Sequence, residues 1–315
     1  MHARILYFGH GSLAIYGLER LLDAGAEVVA VVPTTTDNAG EGHLDEARSL
    51  ERFARSRELR VERLPNPNSA AARATLAALE PDLLISVHYD RIFTPAVLEL
   101  PRLGALNLHL SPLPRLRGCY PTKWAILEGE DAGVTLHCMD EGVDTGSIID
   151  RRIVPLEVAE TDQSLTARLD AEARQLLDEH VPKWARGECG EATPQDEARA
   201  SYHPAELPAG GRLDLEGSVE WAERMVRAFT FPGQPGATLR WDEDEIEVLA
   251  PVRICRESTT APGRIRLERS GELAIGFADG TLYATRVRWR GEEQSPRDLA
   301  ELEERVSITR ATVRG

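Results

Sequence analysis

Lysine is almost missing from this 315-residue chain: Lys123 and Lys183 stand against 35 arginines, a bias that reads as gene base composition rather than function. Cysteine is scarce. Cys119, Cys138, Cys189 and Cys255 are scattered without Cys-x-x-Cys spacing, which excludes a disulfide framework and a structural zinc site. No apolar run is long enough to span a bilayer. Nor is there an excess of positive charge. The formal net charge is −15; residues 206–315 hold 16 Arg and 20 Asp or Glu, a net of −4, and the rest of the chain holds −11. Neither part is a basic platform for nucleic acid. The opening Met1-His2-Ala3-Arg4 leads straight into the strand-like Ile5–Phe8, which predicts a cytoplasmic protein without a leader.

What is present first is a rhythm. Ile5–Phe8, Glu27–Pro33, Arg60–Leu64, Asp82–Val87 and Ala105–His109 read as strands; Leu13–Ala24, Leu44–Arg57, Ala70–Leu79 and Pro95–Leu100 read as helices between them. Alternation of this kind predicts an α/β fold with a doubly wound, mostly parallel sheet. Gly133–Met139 and Ser147–Ile153 read as further strands, and Ser164–Arg186 as a helix capped by Thr161 or Ser164. The Gly-, Pro- and acid-rich stretch 187–211 reads as a connection, placing an N-terminal domain at 1–205 and a C-terminal domain at 206–315. In the latter, the helix-like Val219–Phe229 precedes the strands Ala237–Trp241, Glu245–Val252, Gly263–Leu267, Leu273–Phe277 and Thr281–Trp289, a pattern suited to a small β-barrel. Arg286-Val287-Arg288-Trp289-Arg290 reads as a strand with a solvated arginine face rather than a nucleic-acid site.

The chemistry concentrates between Asn107 and Gly146. Asn107-Leu108-His109-Leu110-Ser111-Pro112-Leu113-Pro114 follows an apolar run, so on a strand Asn107 and His109 face the same way. Downstream lies His137-Cys138-Met139-Asp140-Glu141-Gly142-Val143-Asp144-Thr145-Gly146. An amide can donate to a developing oxyanion, an imidazole can carry a proton, and a carboxylate can orient that imidazole. The first βα turn, Gly9-His10-Gly11-Ser12-Leu13-Ala14, fits a dinucleotide fingerprint, so a NAD(P)-binding protein is a rival of another class. Against it, the second strand ends Val31-Val32-Pro33-Thr34-Thr35, without the acid that would bind ribose hydroxyls. His10, His43, His88, His180 and His203 lack metal-ligand spacing, and no metal is expected.

Asn-x-His-x-Ser-x-Leu-Pro followed by Asp-x-Gly resembles the N10-formyltetrahydrofolate-dependent formyltransferases, and Met225–Ala237, with Arg227-Ala228 and Pro232-Gly233-Gln234-Pro235-Gly236-Ala237, resembles the C-terminal segment of their two-domain members. The resemblance implies a Rossmann-like formyltransferase domain followed by an open barrel of the oligonucleotide-binding type, with N10-formyltetrahydrofolate as formyl donor and no metal. It implies Asn107, His109 and Asp144 as catalytic residues. It implies donor contacts along Ser86-Val87-His88-Tyr89-Asp90-Arg91-Ile92 and on the loop of His137, Asp140 and Gly142. Acceptor contacts are expected from Gly9, His10, Gly11 and Ser12, from Ser111 unless it supports Asn107 and His109, and from Tyr120 and Lys123, where Cys119-Tyr120-Pro121-Thr122-Lys123 departs from the family's small or amide residues.

Gly133–His137 with Asp140–Gly146, and Thr35–Glu41, look most like the members that formylate dTDP- or UDP-linked 4-amino or 3-amino sugars. The expected partner is therefore a nucleotide-linked amino sugar, with neither nucleic acid nor membrane. Methionyl-tRNA formyltransferase shares the two-domain length, but Asp37, Glu41, Asp45, Glu46 and Glu51 stand near where the tRNA enzyme carries a basic loop. Another small or peptidyl amine, or a folate-binding protein without activity, are the remaining alternatives. Family analogy allows a homodimer through the C-terminal barrel.

Overall fold

A computed structural model describes residues 2–34, 41–241, 244–257 and 260–298. The chain divides into two compact units. The first comprises the chain through Pro121, Asp131–Pro155 and Ala167–His203; the second comprises Thr122–Glu130, Leu156–Thr166 and the chain from Pro204 onward.

In chain order the elements are β1 (Arg4–Gly9), α1 (Gly11–Asp23), β2 (Glu27–Pro33), α2 (Glu41–Ser56), α3 (Ala70–Ala77), β3 (Leu83–Val87), α4 (Pro95–Leu98), β4 (Ala105–His109), β5 (Arg117–Gly118), α5 (Pro121–Glu128), β6 (Ala132–Cys138), β7 (Ile148–Val154), α6 (Asp162–Trp184), β8 (Tyr202–His203) and α7 (Val219–Ala228). They are followed by β9 (Ala237–Trp241), β10 (Asp244–Cys255), β11 (Ile265–Leu267), β12 (Leu273–Phe277), β13 (Gly280–Trp289) and β14 (Glu292–Gln294).

The first unit is built on a six-stranded sheet of order β2-β1-β3-β4-β6-β7. The first four are mutually parallel, and β6 and β7 continue the sheet antiparallel. All five residues of β3 are buried, which is why Leu83-Leu84-Ile85-Ser86-Val87 lacks alternation: helices cover both faces of a central parallel strand. Beneath its carboxyl end, Phe8 meets Tyr89 and Phe93 edge-on at centroid distances of 5.0 and 4.8 Å, and the last two rings stack at 5.3 Å. This trio fixes the loop after β3.

The second unit holds an antiparallel curled sheet of order β11-β12-β13-β10-β9, with β14 on β13, and α7 packs against β10 and β13. Thr161 and Ser164 both serve the start of α6: the Thr161 N–H donates to Ser164 Oγ at 3.0 Å and the Ser164 N–H to Thr161 Oγ1 at 3.2 Å, a reciprocal capping box.

Three expectations need correction. Arg60–Leu64 forms no strand beyond a single bridge between Val31 and Val61. The 187–211 stretch is not a plain connection: Thr193 bridges to Ile148, and β8 pairs in parallel with β5. Its polar composition marks solvent exposure, not absence of pairing. Lys123 is not available to a phosphate. It is buried, and its ammonium donates to Asp162 Oδ2 at 2.6 Å and to the Ala228 carbonyl at 3.0 Å. Thr35–Glu41, bearing one of the sugar-enzyme resemblances, lies largely outside the described residues. Among those described, no helix is long and apolar enough to cross a membrane.

Replacing Lys123 by Ala leaves the Asp162 carboxylate buried without its cation, and we expect a loss of about 3–5 kcal/mol in stability. A urea titration of Lys123→Ala checks this; wild-type stability would return Lys123 to the list of ligand contacts.

Candidate active site

Strand registration places three residues side by side: Ser86 on β3 lies opposite Asn107 on the parallel β4, which lies opposite His137 on the antiparallel β6. Asn107 Nδ2 is 3.2 Å from His137 Nε2, and His137 Nδ1 is 2.7 Å from the Cys138 carbonyl oxygen. A carbonyl only accepts, so Nδ1 carries the proton. The neutral ring then presents a lone pair at Nε2. Burial pushes the His137 pKa down to about 4, outweighing the opposing pull of Asp144. Asp144 Oδ1 lies 3.6 Å from Nε2, beyond hydrogen-bond range. A neutral His137 therefore requires the Asn107 NH2 to face it, which fixes the amide's orientation and leaves the second N–H as a donor.

His109 sits two residues further along β4. Its Nε2 is 3.2 Å from the Leu116 carbonyl oxygen, so this nitrogen donates and the neutral ring keeps its lone pair on Nδ1. Asp144 Oδ2 lies 3.6 Å from the same Nε2 and accepts from the Gly118 N–H at 2.9 Å. Asp144 occupies a left-handed backbone conformation, φ 54°. Its loop folds tightly: a Cβ on Gly146 would stand 1.9 Å from the Cys138 carbonyl oxygen. Asp140 shapes the same turn by accepting from the Gly142 N–H at 3.1 Å and Thr145 Oγ1 at 2.5 Å. The Asp140 carboxylate thus has a structural task where a donor contact was expected.

The remaining expected residues divide. His88, also at positive φ (56°), has its pKa lowered to about 4 by burial, with His109 contributing. Its ring lies 5.8 Å from that of His10, whose Nδ1 is 3.3 Å from Thr34 Oγ1. Gly9 is required by close approach, since a Cβ there would meet the Val87 carbonyl oxygen at 2.3 Å. Gly11 opens α1 at φ 75°, and Ser12 is exposed in its first turn. The Tyr89 ring belongs to the aromatic trio, whereas Asp90 and Arg91 pair loosely at 4.0 Å and Ile92 is 66% exposed. Among the described residues, the main-chain N–H groups of 89–92 make no turn or loop bond to a main-chain carbonyl. Unused donors beside an exposed apolar side chain fit a flat heterocycle with a polar edge. Tyr120 is 46% exposed. Ser111 is fully buried, which corrects its expected substrate contact; its carbonyl accepts from Thr135 Oγ1 at 2.7 Å and so secures the turn after β4.

Among the described residues, one trio elsewhere has the spacing to hold a metal ion: Asp150, Glu179 and His180. Arg152 already occupies both Glu179 oxygens at 2.7 Å, and His180 Nε2 is 2.9 Å from Asp150. This arrangement is an ion-pair network.

A family model described as Formyl transferase matches residues 3–181, and one described as Formyl transferase, C-terminal domain matches residues 208–301. The chain belongs to the formyl transferase family. The methionyl-tRNA formyltransferase of Halorhodospira halophila is 34% identical over 300 residues, 95% of this chain and 96% of that one. That of Roseiflexus castenholzii is 34% identical over 299 residues, 94% of each chain. In fold, this formyl transferase is similar to an N-formyltransferase from Helicobacter canadensis solved with folinic acid and dTDP-3-aminofucose, with TM-score 0.69, 21% identity and coverage of 90% and 98%. It is also similar to WlaRD, a sugar 3N-formyl transferase solved with dTDP and 5-N-formyl-THF, with TM-score 0.68, 18% identity and coverage of 90% and 97%. Membership removes the dinucleotide-binding rival.

Sequence reasoning missed the groups that hold this site: the Leu116 and Cys138 carbonyls, the Gly118 N–H, Arg117 and Gln195. Main-chain groups leave no residue-type signal. Gln195 sits in a stretch whose composition reads as a connection.

His137 gives a pH prediction. Its folded pKa lies below the ordinary imidazole value, so between about pH 6.5 and 4 the unfolded chain binds a proton that the folded chain refuses. Stability therefore falls as pH drops through that window. Urea titrations of wild type and His137→Gln from pH 7 to 4 should show a shallower fall in the variant; parallel curves would mean that His137 titrates normally.

Proposed function

We propose that this formyl transferase moves a formyl group from N10-formyltetrahydrofolate onto the primary amine of a nucleotide-linked amino sugar. The convergence of Asn107, His109 and Asp144 at the carboxyl end of β4 carries the chemical half of the reading. The donor supplies an activated formyl carbon; the amine attacks it, negative charge develops on the formyl oxygen, the bond to N10 breaks, and the proton lost by the amine ends on N10. Asn107, with its amide held by His137, donates its second N–H to that oxygen. His109 accepts the amine proton at Nδ1 and returns it to the leaving nitrogen. Asp144 stabilises the imidazolium while the proton is in transit. The loop 88–92, through the main-chain donors of 89–92, holds the pteridine.

Charge pairing supports a small acceptor. On β13, Arg286 is paired with Glu293 and Arg288 with Glu247, each at 2.6 Å, and in the turn that follows Arg290 is paired with Asp244 at 3.5 Å. A tRNA acceptor needs cations that phosphates can claim. These guanidiniums are matched within the fold. The fold likenesses include enzymes solved with dTDP or a dTDP-amino sugar.

A second reading rests on the 34% identity, over 95% of the chain, to a methionyl-tRNA formyltransferase. In that reading initiator methionyl-tRNA is the acceptor.

Mass spectrometry separates them. Incubation with N10-formyltetrahydrofolate and dTDP- or UDP-amino sugars, initiator methionyl-tRNA or simple amines should add a formyl mass to one nucleotide sugar. Formylation of tRNA alone would establish the second reading. With the acceptor in hand, Asn107→Ala and His109→Ala are expected to lower kcat by about 10²–10³, with Asp144→Ala losing more kcat than substrate affinity. Near-normal turnover in any of them removes that residue from the mechanism.

A further inference from the structure

The segment that joins the two matched regions reaches back into the active site. From Thr193 to His203 it is fastened to the rest of the first unit at successive points. The N–H groups of Ile148 and Thr193 donate to each other's carbonyls at 2.8 Å, Ser201 donates its N–H to the Pro114 carbonyl at 3.2 Å, and Ser201 Oγ accepts from the Leu116 N–H at 2.9 Å. The N–H groups of Arg117 and Cys119 donate to the Ser201 and His203 carbonyls, each at 3.0 Å. Between these anchors lies Gln195, whose amide is fully used. Its Nε2 donates to the carbonyl of Asp144 at 2.8 Å and to that of Gly146 at 2.7 Å. Its Oε1 accepts from Arg117 Nε at 3.1 Å and Nη2 at 2.8 Å. Arg117 is buried, and Glu197 two residues beyond Gln195 accepts from Nη2 at 2.7 Å and Nη1 at 3.0 Å.

We propose that Gln195, oriented by Arg117 and Glu197, is a positioning residue for the catalytic carboxylate of Asp144. A guanidinium has only donors, so the Gln195 oxygen must face Arg117 and its NH2 must face the two loop carbonyls. Those carbonyls flank and include a residue in the left-handed region, a conformation that an ordinary side chain leaves unless its surroundings hold it. Arg117 and Gly118 are adjacent, so one short strand meets the loop twice: indirectly through Gln195 at the Asp144 main chain, and directly through the Gly118 N–H at its side chain. The sequence connection is thereby part of the catalytic apparatus.

This inference rests on the role given to Asp144 above, and the test separates the two. Gln195→Glu keeps the side-chain size and the bond to Arg117, so the strap stays fastened. It replaces the NH2 donor with an acceptor oxygen against two carbonyls. Amide hydrogen exchange of the unliganded protein reads the consequence without any acceptor. The Gly118 amide, bonded to the Asp144 carboxylate, should exchange at least tenfold faster. The Arg117 and Cys119 amides, bonded to the strap itself, should be unchanged, as should Tm. With the acceptor, kcat should fall about 30-fold with KM changed less than threefold, and adding Asp144→Asn should cost little more.

Should Gln195→Glu fold poorly, the neutral isostere Gln195→Met gives the same two readouts. Unchanged Gly118 exchange, or equal acceleration at all three amides, overturns the proposal. If Gly118 alone accelerates while no amine is formylated by wild type, positioning stands and the proposed function falls.

Discussion

The candidate site depends on how one carboxylate is held. Asp144 has no strand or helix to fix it; it sits on a loop at positive φ, where the backbone alone favours leaving. Three constraints keep it there. Gly146 lets the loop pass close to the Cys138 carbonyl, Gln195 grips the Asp144 and Gly146 carbonyls, and the Gly118 N–H donates to the Asp144 carboxylate at 2.9 Å. Loss of any one frees the carboxylate to turn toward water, where its charge has nothing to orient.

The charge state of the surrounding rings follows from burial. His88 and His137 are both pushed down to about 4, so at neutral pH they add no positive charge beside His109. The field of Asp144 is therefore not shared among three imidazoliums. Neutrality also gives His137 its lone pair at Nε2, and through it fixes the Asn107 amide. Desolvation, usually a cost, here keeps the ring neutral, the state on which the Asn107 amide's orientation depends. The Cys138 carbonyl that sets the tautomer is the same group against which Gly146 packs, so the amide and the carboxylate are located from one peptide.

Much of this was legible in the sequence because it depends on residue type and spacing. Asn107 and His109 share a strand face, Asp144 precedes a required glycine, and the alternation of apolar segments placed the parallel sheet. What was not legible depends on contacts distant along the chain. Gln195 and Arg117 are 78 residues apart. Lys123, Asp162 and the Ala228 carbonyl meet only in the fold, which is why a lysine read as a phosphate ligand is instead an internal cation. Arg60–Leu64 had strand composition, yet only Val61 found a partner, because β-propensity is realised by neighbours rather than by the strand itself.

The same accounting bears on what approaches the enzyme. Arginines on a strand of the C-terminal unit look, in sequence, like a surface for a polyanion. In the fold each meets carboxylates at salt-bridge distance, and a phosphate could claim one only by displacing its acid. That exchange gains little, because the displaced acid would then repel the phosphate. A long polyanion multiplies the penalty along its length, while a small acceptor meets it at most once or twice. The charge pattern thus bears on the size of the anion more than on its presence.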